Sequence, residues 1–240
     1  MLEKVDLRQA FPKEELKTEL PALRQRLADL TKAAHDRGVP SLVLFEGWEC
    51  AGKGAAIQLL TERLDARGFK VHPIGEPTTE ERRRPWLYRF WVRLPKRGVM
   101  AIFDRSWYGR VLGDAVDERV TRRQVERAYT EIREFERALV EDGAVVVKFW
   151  MHISRKEQAD RIKKLSKDPV QRFLVTAEDR EENRRYDEVL ENASRALRQT
   201  HSKHAPWTVV EANDRHFAFR KVYTTLIEAY DRATIGRSEP

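Results

Sequence analysis

Between Leu42 and Gly54 the apolar run Leu42-Val43-Leu44-Phe45 breaks into Glu46-Gly47-Trp48-Glu49-Cys50-Ala51-Gly52-Lys53-Gly54, and a helical pattern resumes from Ala55 to Arg67. Gly47 followed by Gly52-Lys53 has the spacing of a phosphate-binding loop. Its glycines let backbone N–H groups turn toward phosphate oxygens, and its lysine reaches the transferable phosphates. The helix that follows aims its positive end at the same anion. The motif alone is only moderately specific; a buried-type strand before it and an amphipathic helix after it are the context it requires. Gly47, Ala51, Gly52, Lys53 and Gly54 are accordingly the expected phosphate-binding residues.

Gly54 stands where such loops usually carry the Ser or Thr whose hydroxyl holds Mg²⁺, so another group must hold the metal. Mg²⁺ is a hard cation that takes oxygen ligands and keeps several waters. Glu49, inside the loop, and Asp104, which ends the apolar run Val99-Met100-Ala101-Ile102-Phe103, are the candidate ligands for Mg²⁺, with Mn²⁺ as a substitute. A buried strand ending in Asp is where phosphate-loop enzymes place their second metal-binding residue. Many hydrolases of this type follow that Asp with a carboxylate that activates water, whereas here the neighbour is Arg105. A cation at that point suits transfer to a bound acceptor, with Lys53 and Arg105 on the moving phosphoryl group and Arg110 assisting.

The length of 240 residues accommodates one good-sized core. Strands alternate with helices through the whole chain, which predicts an α/β fold, a parallel sheet with helices on both faces. We expect a single domain over 1–240, with an N-terminal helical extension at about 1–38 and a lid at about 163–185. A net charge of +7 favours an anionic partner, although most of the charges should be solvated helix faces. Nothing near the N-terminus resembles a secretory signal, and no apolar run approaches the ~20 residues needed to cross a bilayer, so a cytoplasmic protein without a membrane partner is expected. The single cysteine, Cys50, excludes an internal disulfide. Its place at a helix N-terminus could lower its pKa, against the plainer reading of a small space-filling residue. The six histidines form no metal-ligand spacing with it, which argues against structural zinc.

Leu16, Leu20, Leu23, Leu27 and Leu30 form one helical stripe from Glu14 to Ala34, which should kink or restart at Pro21. Lys70–Ile74 reads as a short strand, and Thr79–Leu94 as helix. There Trp86, Leu87, Phe90, Trp91 and Leu94 make a core stripe while Arg82, Arg83, Arg84, Arg89 and Arg93 make a positive surface. A long helix over Thr121–Glu141 and a buried strand over Ala144–Met151 follow. Ser154 with Glu157 reads as a capping box. The pattern fails between Lys163 and Asp179, before a helix from about Ala177 to Thr200, a last strand at Pro206–Ala212 and a closing helix capped by Asp214.

Gly47-Trp48-Glu49-Cys50-Ala51-Gly52-Lys53-Gly54 together with Phe103-Asp104-Arg105-Ser106-Trp107-Tyr108-Gly109-Arg110 resembles the second family of polyphosphate kinases. The likeness continues in Phe135-Glu136, Lys148-Phe149-Trp150, Asp168-Pro169, Ala205-Pro206-Trp207 and Ala212-Asn213-Asp214. The resemblance implies a phosphate-loop kinase fold with a helical lid. It also implies Mg²⁺-assisted, reversible phosphoryl transfer between inorganic polyphosphate and an adenine or guanine nucleotide, in a homo-oligomer. Arg89-Phe90-Trp91, Leu94-Pro95 and Tyr108-Gly109-Arg110-Val111-Leu112 look most like the members that convert AMP to ADP, with ADP to ATP the next choice. The family pattern has Asp where this chain has Glu49, Ala where it has Cys50, and lysines where it has Gln171 and Leu174. Contact with the polymer then falls to Lys163, Lys164, Lys167 and Arg172. Two other readings fit the residues: an ATP-dependent small-molecule or nucleotide kinase on the same fold, and a non-catalytic polyanion binder. No nucleic-acid motif supports a nucleic-acid partner.

Overall fold

The computed structural model describes residues 2–235; Met1 and 236–240, the ends of the expected domain, lie outside the described residues. Among the described residues five strands, β1 (Ser41–Gly47), β2 (Phe69–Pro73), β3 (Met100–Asp104), β4 (Val145–His152) and β5 (Trp207–Glu211), pair in parallel in the order β2-β3-β1-β4-β5. The helices are α1 (Lys13–Asp36), α2 (Lys53–Thr61), α3 (Thr79–Arg82), α4 (Tyr88–Trp91), α5 (Gly113–Val116), α6 (Arg122–Glu141), α7 (Arg155–Lys167), α8 (Ala177–Arg184), α9 (Tyr186–Thr200) and α10 (Arg215–Ile235). Right-handed crossovers put α2 on one face, where α10 packs against it and α1, and put α6 and α9 together on the other. The sheet is covered on both faces, as its near-continuous apolar strands require. Leu42, Val43, Leu44 and Phe45 are at most 1% exposed.

The central strand β1 lies between β3 and β4, so the loops leaving β1 and β3 emerge side by side at the carboxyl edge of the sheet. That edge, where crossovers depart in opposite directions, is where open parallel sheets bind ligands. No helix among the described residues is long and apolar enough to cross a membrane.

Several local expectations change. Helix α1 runs through Pro21 without restarting. Helix α2 stops at Thr61, where Glu62 caps it by donating its N–H to the Gln58 carbonyl, and does not reach Arg67. The segment Thr79–Leu94 is two single turns with Pro85 between them, because a proline disfavours helix in the residue before it. Phe90 is buried there, but Trp91 is 51% exposed. The arginines of that segment are largely neutralised: Glu81 holds Arg93 at 2.9 Å and Arg89 at 3.4 Å, Glu80 holds Arg84 at 3.2 Å, and Glu76 faces Arg82. Ser154 caps α7 through the Glu157 N–H, but the capping box is not reciprocal, because the Glu157 carboxylate accepts from Arg161 at 2.6 Å. The helix expected from Ala177 to Thr200 breaks at Arg185 into α8 and α9.

Candidate active site

The turn leaving β1 has three residues with positive φ or close backbone contact. Gly47 (φ +131°) passes so near β4 that a Cβ would lie 2.3 Å from the Met151 carbonyl oxygen, and only glycine fits. Cys50 (φ 59°) and Gly52 (φ 95°) are left-handed. Together these turns bring the start of α2 round so that Lys53, 7% exposed, folds back over the loop. Its Nζ donates to the carbonyls of Trp48 (2.9 Å) and Gly47 (3.1 Å) and lies 3.5 Å from the Glu49 carboxylate. Arg161 of α7 fastens the loop from outside, donating to the carbonyls of Cys50, Ala212 and Asn213.

Arg105, directly after β3, is also left-handed (φ 62°), and its guanidinium donates to the same Glu49 oxygen at 2.8 Å. Glu49 thus lies between two cations, one from the start of α2 and one from the segment after β3. Burial alone would raise its pKa, but Lys53 and Arg105 together hold it below the usual carboxylate range. Behind it Glu46, only 4% exposed, accepts a 2.7 Å hydrogen bond from Ser106 Oγ. Burial pushes the Glu46 carboxyl up to about 7, against the opposing pull of Ser106, Lys53 and Arg105. On the far side Glu182 of α8 accepts from the Glu49 N–H (2.9 Å) and from Gln158 (2.7 Å). Burial, aided by the charge of Glu49, raises Glu182. It also pushes the Cys50 thiol up to about 11, with Asp179 and Glu49 adding to the effect, which removes the low-pKa reading of this cysteine.

Asp104 ends β3 opposite Phe45, and its carboxylate accepts no hydrogen bond among the described residues. No three acidic, histidine or cysteine groups among the described residues converge as a ready cage for a metal. Mg²⁺ is commonly held by one or two carboxylates plus waters and substrate phosphates, a demand that the two carboxylates of Glu49 and Asp104 fit. Glu49 and Asp104 are the residues at the loop that offer the oxygens.

The turn Trp107–Arg110 that follows Arg105 is anchored from beneath. Glu136 of α6 accepts from Trp107 Nε1 (3.0 Å) and Tyr108 Oη (2.8 Å) and pairs with Lys148 of β4. This holds Arg110 on the wall of a cleft of about 1040 Å³ that runs from the phosphate loop past Arg105 to Trp86 and Arg89. Arg110 lies over the Trp86 ring at 5.9 Å and makes only a 3.9 Å approach to Asp114. Its guanidinium is the least committed of the arginines lining the cleft.

Lys53, Glu49, Asp104, Arg105 and Arg110, together with Gly47, Ala51, Gly52 and Gly54, therefore gather along one edge of the sheet. The four cations expected near a polymer do not join them. Lys163 and Lys167 border a separate shallow depression with Arg180, and neither Lys164 nor Arg172 lines the cleft. The lid-side surface that does face the loop is acidic, carrying Glu178, Asp179, Glu181 and Glu182, with Leu174 at its edge. Sequence reading missed Glu46, Ser106, Trp86 and Glu182. The signal for Glu46 was present as a lone carboxylate inside an otherwise apolar strand; Glu182 offered none among the charges of α8.

Residues 10–238 match the family model described as polyphosphate kinase 2. The chain is 40% identical over 97% of its length to the polyphosphate:AMP phosphotransferase of Pseudomonas aeruginosa, of which the match covers 47%. It is 31% identical over 92% of its length to the AMP/ADP-polyphosphate phosphotransferase of Meiothermus ruber, covering 83% of that protein. The crystal structure of polyphosphate kinase 2 from Arthrobacter aurescens TC1 superposes with a TM-score of 0.92 at 29% identity, covering 96% of this chain and 85% of that one. The chain spans about half the length of the polyphosphate:AMP phosphotransferases it matches.

Proposed function

Because the chain belongs to the polyphosphate kinase 2 family, we propose that it transfers phosphoryl groups from inorganic polyphosphate to a nucleotide, with AMP the favoured acceptor and ADP the product. One observation carries the reading: Glu49 is clasped by Lys53 and Arg105 at the phosphate loop, at one end of a cleft whose other wall carries the loosely paired Arg110. Two anions can approach each other between these cations. The similarity to polyphosphate:AMP phosphotransferases, at 38–40% identity, supports AMP as the acceptor.

In the forward direction an oxygen of the acceptor phosphate attacks the terminal phosphorus of the polymer. The bridging P–O bond breaks, and the chain leaves one phosphate shorter. Charge spreads over the transferring oxygens, so the protein's task is positioning and neutralisation rather than covalent chemistry. Lys53 and Arg105 exchange their contacts with Glu49 for contacts with the transferring group, and the loop N–H groups turn toward the donor oxygens. Arg110 and the Trp86 face hold the acceptor in line. Glu49 and Asp104 would be the residues to hold Mg²⁺, which when bound would supply positive charge against the phosphates. The segment from Lys163 to Arg185 acts as the lid, and its cations meet the polymer outside the cleft.

The test is a nucleotide product assay with purified protein, Mg²⁺ and polyphosphate, in which AMP or ADP is supplied separately and Asp104→Asn is run in parallel. ADP made from AMP without ATP, and lost in the variant, is the expected result. ATP formed only from ADP would move the acceptor. No product from either would overturn the proposal.

A further inference from the structure

Glu46 is an expensive residue to place where it is. It is the penultimate residue of the central strand, 4% exposed, between Leu44-Phe45 and the phosphate loop, where an acid is costly to bury. Its partner is Ser106, itself 3% exposed, whose hydroxyl donates to Glu46 Oε1 at 2.7 Å. A hydroxyl has one proton to give. With that proton committed to Glu46, its lone pairs are turned to the Tyr108 N–H, which donates to Ser106 Oγ at 3.3 Å and so caps the turn Trp107–Arg110. On the other side of Ser106 stands Arg105, in a backbone region that non-glycine residues enter only when their surroundings hold them there. A single side chain on β1 thereby fixes a hydroxyl lying between the two arginines of the segment after β3.

We infer that Glu46 is a positioning residue for phosphoryl transfer: through Ser106 Oγ it locks the Arg105–Arg110 segment against the phosphate loop. The inference rests on the proposed reaction. Arg105 reaches Glu49 from a backbone pinned at two points, the Phe45 carbonyl, which accepts from the Arg105 N–H at 3.0 Å, and the Ser106 hydroxyl. Without Glu46 the hydroxyl is free to rotate, the cap on the following turn weakens, and both guanidiniums lose their fixed line to the transferring group. Substrate contacts remain, so the loss falls on turnover rather than on binding.

The experiment is a double-mutant cycle of Glu46→Ala, Ser106→Ala and the pair, with Glu46→Gln as the conservative variant, assayed with AMP, polyphosphate and Mg²⁺. Amide hydrogen exchange across residues 105–110 is measured on the same proteins. Each single alanine variant is expected to lower kcat by about 10- to 100-fold with KM for AMP little changed, and the pair to be no worse than either single variant. Glu46→Gln, which keeps an oxygen for Ser106 and fills the same space, recovers the greater part of the loss. The Tyr108 amide exchanges faster in both alanine variants. Additive losses, a change confined to KM, a Gln variant as poor as Ala, or unchanged exchange at Tyr108 would each overturn the inference. A wild-type protein that makes no ADP would refute the proposed reaction instead, and the exchange measurement would still decide whether Glu46 holds the segment.

Discussion

Glu136 and Lys148 form a 2.7 Å ion pair with side chains 1% and 0% exposed, joining α6 to β4 directly beneath the turn that carries Arg110. Burial pushes the glutamate up and the lysine down, and the attraction and hydrogen bonds between them oppose that shift. Lys148 also donates to Tyr108 Oη and the Thr200 carbonyl, and Glu136 accepts from Trp107 and Tyr108. Removing one partner leaves the other charge uncompensated. Lys148→Met is expected to cost about 3–5 kcal/mol, and adding Glu136→Gln to recover part of it. Urea unfolding of the two variants checks this; a single variant within about 1 kcal/mol of wild type would mean that the pair is not buried in solution.

Glu49 has two duties in the proposed mechanism, holding Lys53 and Arg105 before substrate arrives and offering oxygen to Mg²⁺ afterwards. Glu49→Gln keeps the size and removes the charge. It should lower kcat by about 100-fold and raise the Mg²⁺ concentration needed for half-maximal rate. Steady-state rates across a Mg²⁺ series separate the two effects: a lower kcat at unchanged Mg²⁺ demand would restrict Glu49 to positioning the two cations.

The sheet, its phosphate loop and the carboxyl-edge position of Asp104-Arg105 were legible in the sequence because apolar runs, glycine spacing and strand–helix alternation are local signals. Helix limits were less so. Helix α2 gives way to a turn after Thr61 although the apolar spacing carries on to Leu64, and Pro85 splits a stretch whose apolar spacing suggested one helix. The five arginines from Arg82 to Arg93 read as a positive surface, since nothing in the sequence says that Glu81 reaches back to two of them. The orientation of the segment after α7 was illegible for the same reason. It carries four arginines and five acids in close succession, and only the packing of α8 on Gln158 and Glu49 decides which of them faces the loop.

Cys50 lies in a phosphate loop at a helix N-terminus, a setting that commonly activates a thiol. Here burial and the carboxylates of Asp179 and Glu49 push it to about 11. Only the thiolate reacts, so at pH 7.5 the native protein should be modified by a disulfide reagent about 100-fold more slowly than the unfolded chain. The rate should climb about tenfold per pH unit well past pH 9. A rate that levels off near pH 7 would show an activated thiol.

His152 ties the phosphate loop to the sheet in a way that depends on pH. Its Nδ1 accepts from Trp48 Nε1 at 2.9 Å and from Trp150 Nε1 at 3.3 Å, so the neutral ring must carry its proton on Nε2. Protonation would place a second proton on Nδ1, facing two donors. Burial accordingly lowers His152 to about 4, while Glu211 and Glu3 pull the other way. The unfolded chain takes up a proton near pH 6.5 and the folded one does not, so this residue's contribution is present above pH 6.5 and is lost as the pH falls to about 4. The loss amounts to about 3 kcal/mol. His152→Asn, which sets an oxygen near the place of Nδ1, should therefore lose less stability than wild type between pH 7 and pH 4, by about that amount. Because Trp48 stacks on Tyr186 of α9 at 4.0 Å, its fluorescence should report the acid transition together with the opening of the loop against the lid-side helices. Parallel acid profiles for the two proteins would mean that protonation of His152 is not what the folded state resists.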